Sequence, residues 1–210
     1  MTLQDSIQRL RDLFPDAVGT FTEFRGETSI GVPADRILAV CRFLKSECGF
    51  DMLTDLSGVD HYGEEPRYEV EYLLYSMTDR MHLRLKVRIP ESSMEVDSVT
   101  SVWQTANWHE REAFDMYGLK FTGHPNLKRI LMWEGYPHHP LRKDFPLAGL
   151  PSELPATADN AGSVETAPMA GGPFIPGTGT RSTVSREPRQ FDTGMEQIVK
   201  ISNPFKKESV

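Results

Sequence analysis

Four side chains in the second half of the chain make the strongest case for chemistry: His109, Glu112, Asp115 and His124. His109 and Glu112 are three residues apart, as are Glu112 and Asp115, so a helix sets all three near one face. With His138 and His139 as further imidazoles, this set would suit a metal-dependent hydrolase. The local patterns argue against it. A zinc-protease H-E-x-x-H fails because His109-Glu110-Arg111-Glu112 is followed by Ala113. A di-iron bundle draws Glu-x-x-His motifs from separate helices, and one reversed version is present. Acid–base or nucleophilic chemistry has carboxylates and histidines to draw on. Yet there is no G-x-S-x-G elbow, no phosphate-binding glycine loop, and no His beside either cysteine. Cys41 and Cys48 lack the close pairing of iron–sulfur or structural zinc ligands. They read as two small apolar residues on one helix.

The 210 residues are 39% hydrophobic and 25% charged, with a formal net charge of −7, which suits a globular domain plus a tail and disfavours nucleic-acid binding. No run approaches the roughly 20 apolar residues of a membrane span. The N-terminus has neither signal-peptide nor transit-peptide character, so membrane association is expected only through partners.

Periodicity supplies the elements that must position these residues. Leu3, Ile7, Leu10 and Phe14 define a short helix stopped by Pro15. Residues 17–24 and 28–32 read as strands around Arg25-Gly26-Glu27. A second helix begins near Pro33, with Ile37, Leu38, Cys41 and Leu44 facing the core and Gly49 as terminator. Residues 50–57 form a strand, followed by a hairpin of Arg67–Met77 and His82–Ile89. Leu83, Leu85, Val87 and Ile89 share one face of that hairpin with Val70, Tyr72 and Leu74; the other face is charged. An even-length loop puts Tyr72 opposite Val87 and Glu71 opposite Arg88, so a two- or four-residue turn is predicted. From about Asp97 to Tyr117 the chain reads as helical, broken near Thr105 and closed by Gly118. The expected fold is α+β: a mainly antiparallel sheet covered on one face by helices, then a long extended C-terminal segment. The expected boundaries are 1–118 for this domain, 119–147 for a Pro-rich docking segment and 148–210 for an extended tail.

Residues 103–146 contain all three tryptophans and four of the six histidines. Arg111 and Asp115 have i,i+4 spacing for an ion pair. After Gly118, X-Pro bonds at Pro125, Pro137 and Pro140 oppose regular structure. The stretch still carries Leu127, Ile130, Leu131, Met132, Trp133, Tyr136, Leu141 and Phe145. An extended segment this apolar must be covered, either by its own domain or by a partner. Trp, Tyr, Met and Arg are the residues that interfaces favour.

These residues also carry a resemblance. Glu110-Arg111-Glu112, Asp115-Met116-Tyr117-Gly118, Gly123-His124-Pro125, Leu127-Lys128-Arg129-Ile130-Leu131 and Pro140-Leu141-Arg142-Lys143-Asp144-Phe145-Pro146 resemble the signature of the C-type (30 kDa) subunit family of NADH–quinone oxidoreductase. A weaker similarity runs back to about Ile30. The spacing before Pro140 departs from the pattern at Tyr136-Pro137-His138-His139. The resemblance implies a non-catalytic component of the peripheral arm of respiratory complex I, packed on the D-type subunit near the quinone-reducing module. It would lie on the cytoplasmic or matrix side of the membrane. Iron–sulfur clusters, FMN and quinone would belong to neighbouring subunits, with no cofactor in this chain. Related domains of membrane-bound hydrogenases and ferredoxin-dependent complexes are the alternative. On this reading Arg129, Arg142 and Lys143 meet partner carboxylates or carbonyls, and Trp133 and Phe145 are buried anchors. Charge reversal at Arg142 is then expected to weaken assembly without unfolding the domain.

Overall fold

The computed structural model describes residues 2–147, 150, 152–153 and 163–164. Met1–Phe145 belongs to one compact unit, so the segment after residue 118 is part of the same body as the domain before it. A second unit contains Pro146–Glu153; its described elements are the two-residue strands β8 (Ser152–Glu153) and β9 (Ser163–Val164), paired antiparallel. The expected 148–210 tail lies largely outside the described residues.

Helix α1 (Leu3–Leu13) opens with a reciprocal cap: Thr2 Oγ1 accepts from the Asp5 amide and Asp5 Oδ2 accepts from the Thr2 amide. Its buried face is Ser6, Ile7 and Leu10. Strands β1 (Phe21–Phe24) and β2 (Glu27–Gly31) form a hairpin around Arg25 and Gly26, whose φ values of 52° and 82° give the left-handed two-residue turn that matches strand twist. Helix α2 (Ile37–Cys48) begins after Arg36, four residues later than its Pro33 signal, and buries Val40 together with Ile37, Cys41, Leu44 and Cys48. Both cysteines are free and buried, and burial pushes both thiols above their ordinary range.

Strands β3 (Met52–Asp60), β4 (Tyr68–Ser76) and β5 (Met81–Ile89) complete a five-stranded sheet in the order β1-β2-β5-β4-β3. All pairings are antiparallel except β2 with β5. The β4–β5 loop has four residues, since Ser76 faces Met81. The register differs by two from the pairing expected above: Tyr72 faces Leu85 and Glu71 faces Lys86. Loop parity is what the alternation constrains, so a shift of two leaves each face intact. Tyr72, Leu74, Leu83, Leu85 and Val87 bury into a common core with Ile7, Ile37, Leu44 and Ala113 of the helices.

The other sheet face holds a lattice of ion pairs. Lys86 Nζ lies 2.6 Å from Glu71 and 3.2 Å from Glu69; Arg84 pairs with Glu27 at 2.7 Å, and Arg88 with Glu64 at 2.7 Å. Strand β5 thus sets its bases against acids of β4, β2 and the β3–β4 loop, which keeps this charged sheet face compatible with water.

The region from Asp97 is not one helix. Strand β6 (Glu95–Asp97) pairs parallel with β7 (Lys120–Thr122), and helix α3 (Ala106–Tyr117) lies between them. Glu110 is fully buried and organises the connection: its carboxylate accepts from Ser98 Oγ at 2.7 Å and from the Val99 amide at 2.8 Å. Burial raises the Glu110 carboxyl to about 7. Among the described residues no helix is long and apolar enough to cross a membrane.

Candidate functional site

The last turns of α3 grip the chain that follows. Asp115 is fully buried, and its Oδ2 accepts three consecutive amides: Ile130 at 3.0 Å, Leu131 at 2.7 Å and Met132 at 2.8 Å. Its Oδ1 pairs with Arg129 Nη1 at 2.5 Å. Burial alone would raise this carboxyl. The amides of Met132, Ile130 and Leu131 and the Arg129 guanidinium overcome that and hold it below its ordinary value. The Asp115 carbonyl also receives His139 Nδ1 at 2.9 Å, and the Met116 carbonyl receives the Leu141 amide. Residues 128–142 therefore form a strap against α3. One turn earlier, Arg111 donates Nε to the Lys128 carbonyl and Nη2 to the Arg129 carbonyl, both at 3.1 Å. The expected Arg111–Asp115 pair is replaced by these two contacts with the strap, because the strap supplies better-placed acceptors and donors than the helix's own neighbour.

The strap's far end is fastened by a second buried cluster. Arg67 donates Nε and Nη2 to the two oxygens of Asp60, each at 2.8 Å, Nη1 to Glu91 at 2.8 Å and Nη2 to Asp144 at 3.0 Å. Its guanidinium lies 4.9 Å from the ring centres of both Tyr62 and Tyr68. The Lys143 amide donates to Asp60 Oδ2 at 2.8 Å. The Arg67 hydrogen bonds, chiefly, hold the Asp60 carboxyl below its ordinary value against its burial.

Between the two fastenings, Arg142 Nε donates to the Tyr117 carbonyl at 2.7 Å, satisfying an end group of α3. Gly118, at φ 81°, makes this approach feasible: a Cβ there would sit 2.5 Å from Arg142 Nη2 and 2.7 Å from His139 Nε2. Arg142→Glu is therefore expected to destabilise the isolated chain by about 1–3 kcal/mol, the loss of a charged hydrogen bond to a carbonyl that then lacks its donor. Urea unfolding of the purified variant checks this; an unchanged midpoint would remove Arg142 from the fastening.

The residues singled out by sequence are distributed as follows. His109 Nδ1 lies 3.3 Å from Asp55. His124 Nδ1 accepts from the Asn126 amide, so its Nε2 donates to the Asn107 carbonyl at 3.2 Å; burial lowers its pKa, in keeping with a neutral ring. Glu112 is exposed, and Asp115 is enclosed by its amides. The four side chains do not converge, and among the described residues no three His, Cys, Asp or Glu groups gather as a metal site. The hydrolase reading lacks its ligand set. Arg129 is engaged by Asp115 and Arg142 by Tyr117, while the Lys143 side chain is exposed. Trp133 and Phe145 are half-buried in an aromatic run: Trp133 lies 4.5 Å from Tyr136, Tyr136 5.5 Å from His138, and His138 5.9 Å from Phe145. Leu131 and Leu141 remain exposed on the strap.

Comparison with known proteins gives this arrangement a context. Residues 30–151 match the family described as respiratory-chain NADH dehydrogenase, 30 kDa subunit. A relative from Rhizobium etli, the second C-type subunit of its NADH-quinone oxidoreductase, is 48% identical over 158 residues, covering 73% of this chain and 84% of its own length. The C-type subunit of NADH-quinone oxidoreductase from a Roseiflexus species is 51% identical over 143 residues, covering 67% of this chain and 82% of its own. Among solved structures, the trypsin-resistant fragment (1–134) of Nqo5 aligns with TM-score 0.54 and 27% identity over 60% of this chain and all of the fragment. A chain of an archaeal membrane-bound sulfane sulfur reductase shares the fold, with TM-score 0.60 at 23% identity over 69% of this chain and 85% of its own. The matched family range takes in strands β3 to β5, α3 and both fastenings of the strap, and this chain belongs to the 30 kDa subunit family of respiratory-chain NADH dehydrogenase.

Proposed function

We propose that this chain is a non-catalytic structural component of the peripheral arm of a proton-translocating NADH:quinone oxidoreductase. It docks on the D-type subunit beside the quinone-reducing module, on the cytoplasmic side of the membrane. The observation that carries the reading is the use of Asp115. In the segment where the family signature is densest, its carboxylate binds three backbone amides and an arginine of the same chain. Such a group holds a surface in shape, with no open oxygen for substrate. A strap fastened in this way is ordered before a partner arrives, so docking does not bear the entropy of arranging it. Electron transfer, with its iron–sulfur clusters, FMN and quinone, belongs to the neighbours in this reading.

Affinity recovery of the tagged full-length chain from mildly solubilised membranes tests it. The expected result is co-recovery of a quinone-reducing large subunit and iron–sulfur subunits, with NADH-oxidising activity. Co-recovery of hydrogenase subunits instead would assign the chain to a related membrane complex. Recovery of the chain alone would overturn the subunit reading.

A further inference from the structure

We infer that Trp108, backed by Arg111 and flanked by Lys128 and Leu131, is the anchor with which this chain grips a neighbouring protein subunit, one whose surface offers an apolar cleft with a carboxylate at its rim. The inference rests on the subunit reading above and identifies the contact residues that reading leaves open.

Trp108 and Leu131 are each 62% exposed, the most open large apolar side chains on α3 and the strap. The structure links them into one surface. The Arg111 guanidinium lies 5.3 Å from the centre of the Trp108 ring, and the same guanidinium donates to the carbonyls of Lys128 and Arg129. One turn along, Asp115 receives the Leu131 amide. Positions 108, 111 and 115 lie along one side of the helix, so indole, guanidinium and leucine follow the edge of the strap. An open groove bordered by Asn107, Trp108 and Pro125 lies beside the indole.

An indole held in place and left in water is unfavourable for the chain alone, since large aromatic surfaces contribute chiefly when buried. Trp and Arg are also the types that dominate binding energy at protein interfaces. The charges specify the partner further. Arg111 hydrogen-bonds to carbonyls, which leave its charge in place, and Lys128 is exposed beside it. Arg111 and Lys128 outnumber the one exposed acid nearby, Glu112 a turn from Trp108, so this edge carries a net positive charge in a chain whose net charge is −7 and complements carboxylates. An anionic lipid surface is the weaker match, because membrane recruitment typically needs about 4–8 clustered cations.

The test uses the full-length chain in its host, with Trp108→Glu, Lys128→Glu and, as a remote control, Phe24→Glu on the exposed end of β1. Trp108→Glu is expected to lower recovery of the neighbouring subunits about tenfold or more. The purified variant should keep the wild-type thermal midpoint, since the side chain is mostly in solvent. Lys128→Glu should lower recovery as well, and it reads the surface independently of the indole. Phe24→Glu should leave recovery unchanged. Wild-type recovery with both α3-edge variants would overturn the inference, as would an equal loss with Phe24→Glu. Trp108-dependent binding to phosphatidylglycerol vesicles with unaltered subunit recovery would overturn it in favour of lipid. If the wild-type chain itself recovers no subunits, the subunit reading falls, a result distinct from any of these.

Discussion

Replacing Asp115 with alanine is expected to lower the unfolding free energy of the isolated chain by about 3–5 kcal/mol, the range for removing one partner of a buried ion pair. The change leaves the Arg129 charge without its carboxylate and removes the acceptor of three strap amides. Asp115→Asn should fall between the two, since one oxygen remains to accept while the charge is gone. Urea unfolding gives the magnitude, and hydrogen exchange at residues 130–132 reports whether the strap opens first. A loss below about 1 kcal/mol, typical of an ordinary hydrogen bond, would show that packing rather than Asp115 holds the strap. Its folded pKa lies below the ordinary 3.8, so this stabilisation is full above that value. It is lost only as pH falls through the folded pKa.

Glu110 behaves oppositely, and its effect falls in a physiological window. Burial lifts its carboxyl from 4.5 to about 7, while the Ser98 hydroxyl and Val99 amide pull the other way. A raised folded pKa means that the favourable, protonated state is available below pH 4.5. That contribution is lost as pH rises from there through 7. The loss amounts to roughly 3 kcal/mol by pH 8. Glu110→Gln keeps an oxygen for the Val99 amide and removes the buried charge. The wild-type chain should therefore lose stability between pH 5 and pH 8 relative to the variant, whose unfolding free energy should lack this component. Parallel pH profiles for the two proteins would show that the charged form is accommodated. The Cys41 thiol on α2 and the Tyr72 hydroxyl on β4 are pushed upward, chiefly by burial and in part by Glu110, so both stay neutral across this window and leave the titration to Glu110.

The sheet and helices were readable because they obey local periodicity. Alternation along Tyr68–Ser76 and Met81–Ile89 set the faces and loop parity, and Gly49 and Gly118 marked the ends of α2 and α3. Alternation cannot choose between registers two residues apart, and the Tyr72 pairing shifted for that reason. Strands β6 and β7, three residues each, are too short to show a period and exist because Val96 and Phe121 bury side by side. The apparent helix from Asp97 came from Val99, Val102 and Trp103, which are buried in turns that Glu110 secures.

The site was legible as a region and opaque in its connections. Spacing presented Asp115 as a partner for Arg111 or a metal ligand, whereas its actual partners lie 14–17 residues ahead along an irregular segment. No helical rule reaches that far. Residue type marks Trp108 and Trp133 alike as candidate anchors, and exposure separates them: Trp108 is open to solvent and Trp133 half-buried.

The fastening at Asp60 also bears on the order in which the protein is made. The carboxylate and Arg67 emerge from the ribosome early and close together, yet the Lys143 amide that completes the arrangement is 83 residues downstream of Asp60. During synthesis Asp60 therefore lacks the Lys143 amide, and the last turn of α3 lacks Arg142, until those residues emerge. Within the unit Met1–Phe145, the fastening at Asp60 is the contact that synthesis completes last, once residues near 145 have cleared the exit tunnel. Nascent chains shorter than that carry the residues of the sheet without the strap that completes the fastenings at Asp60 and Asp115.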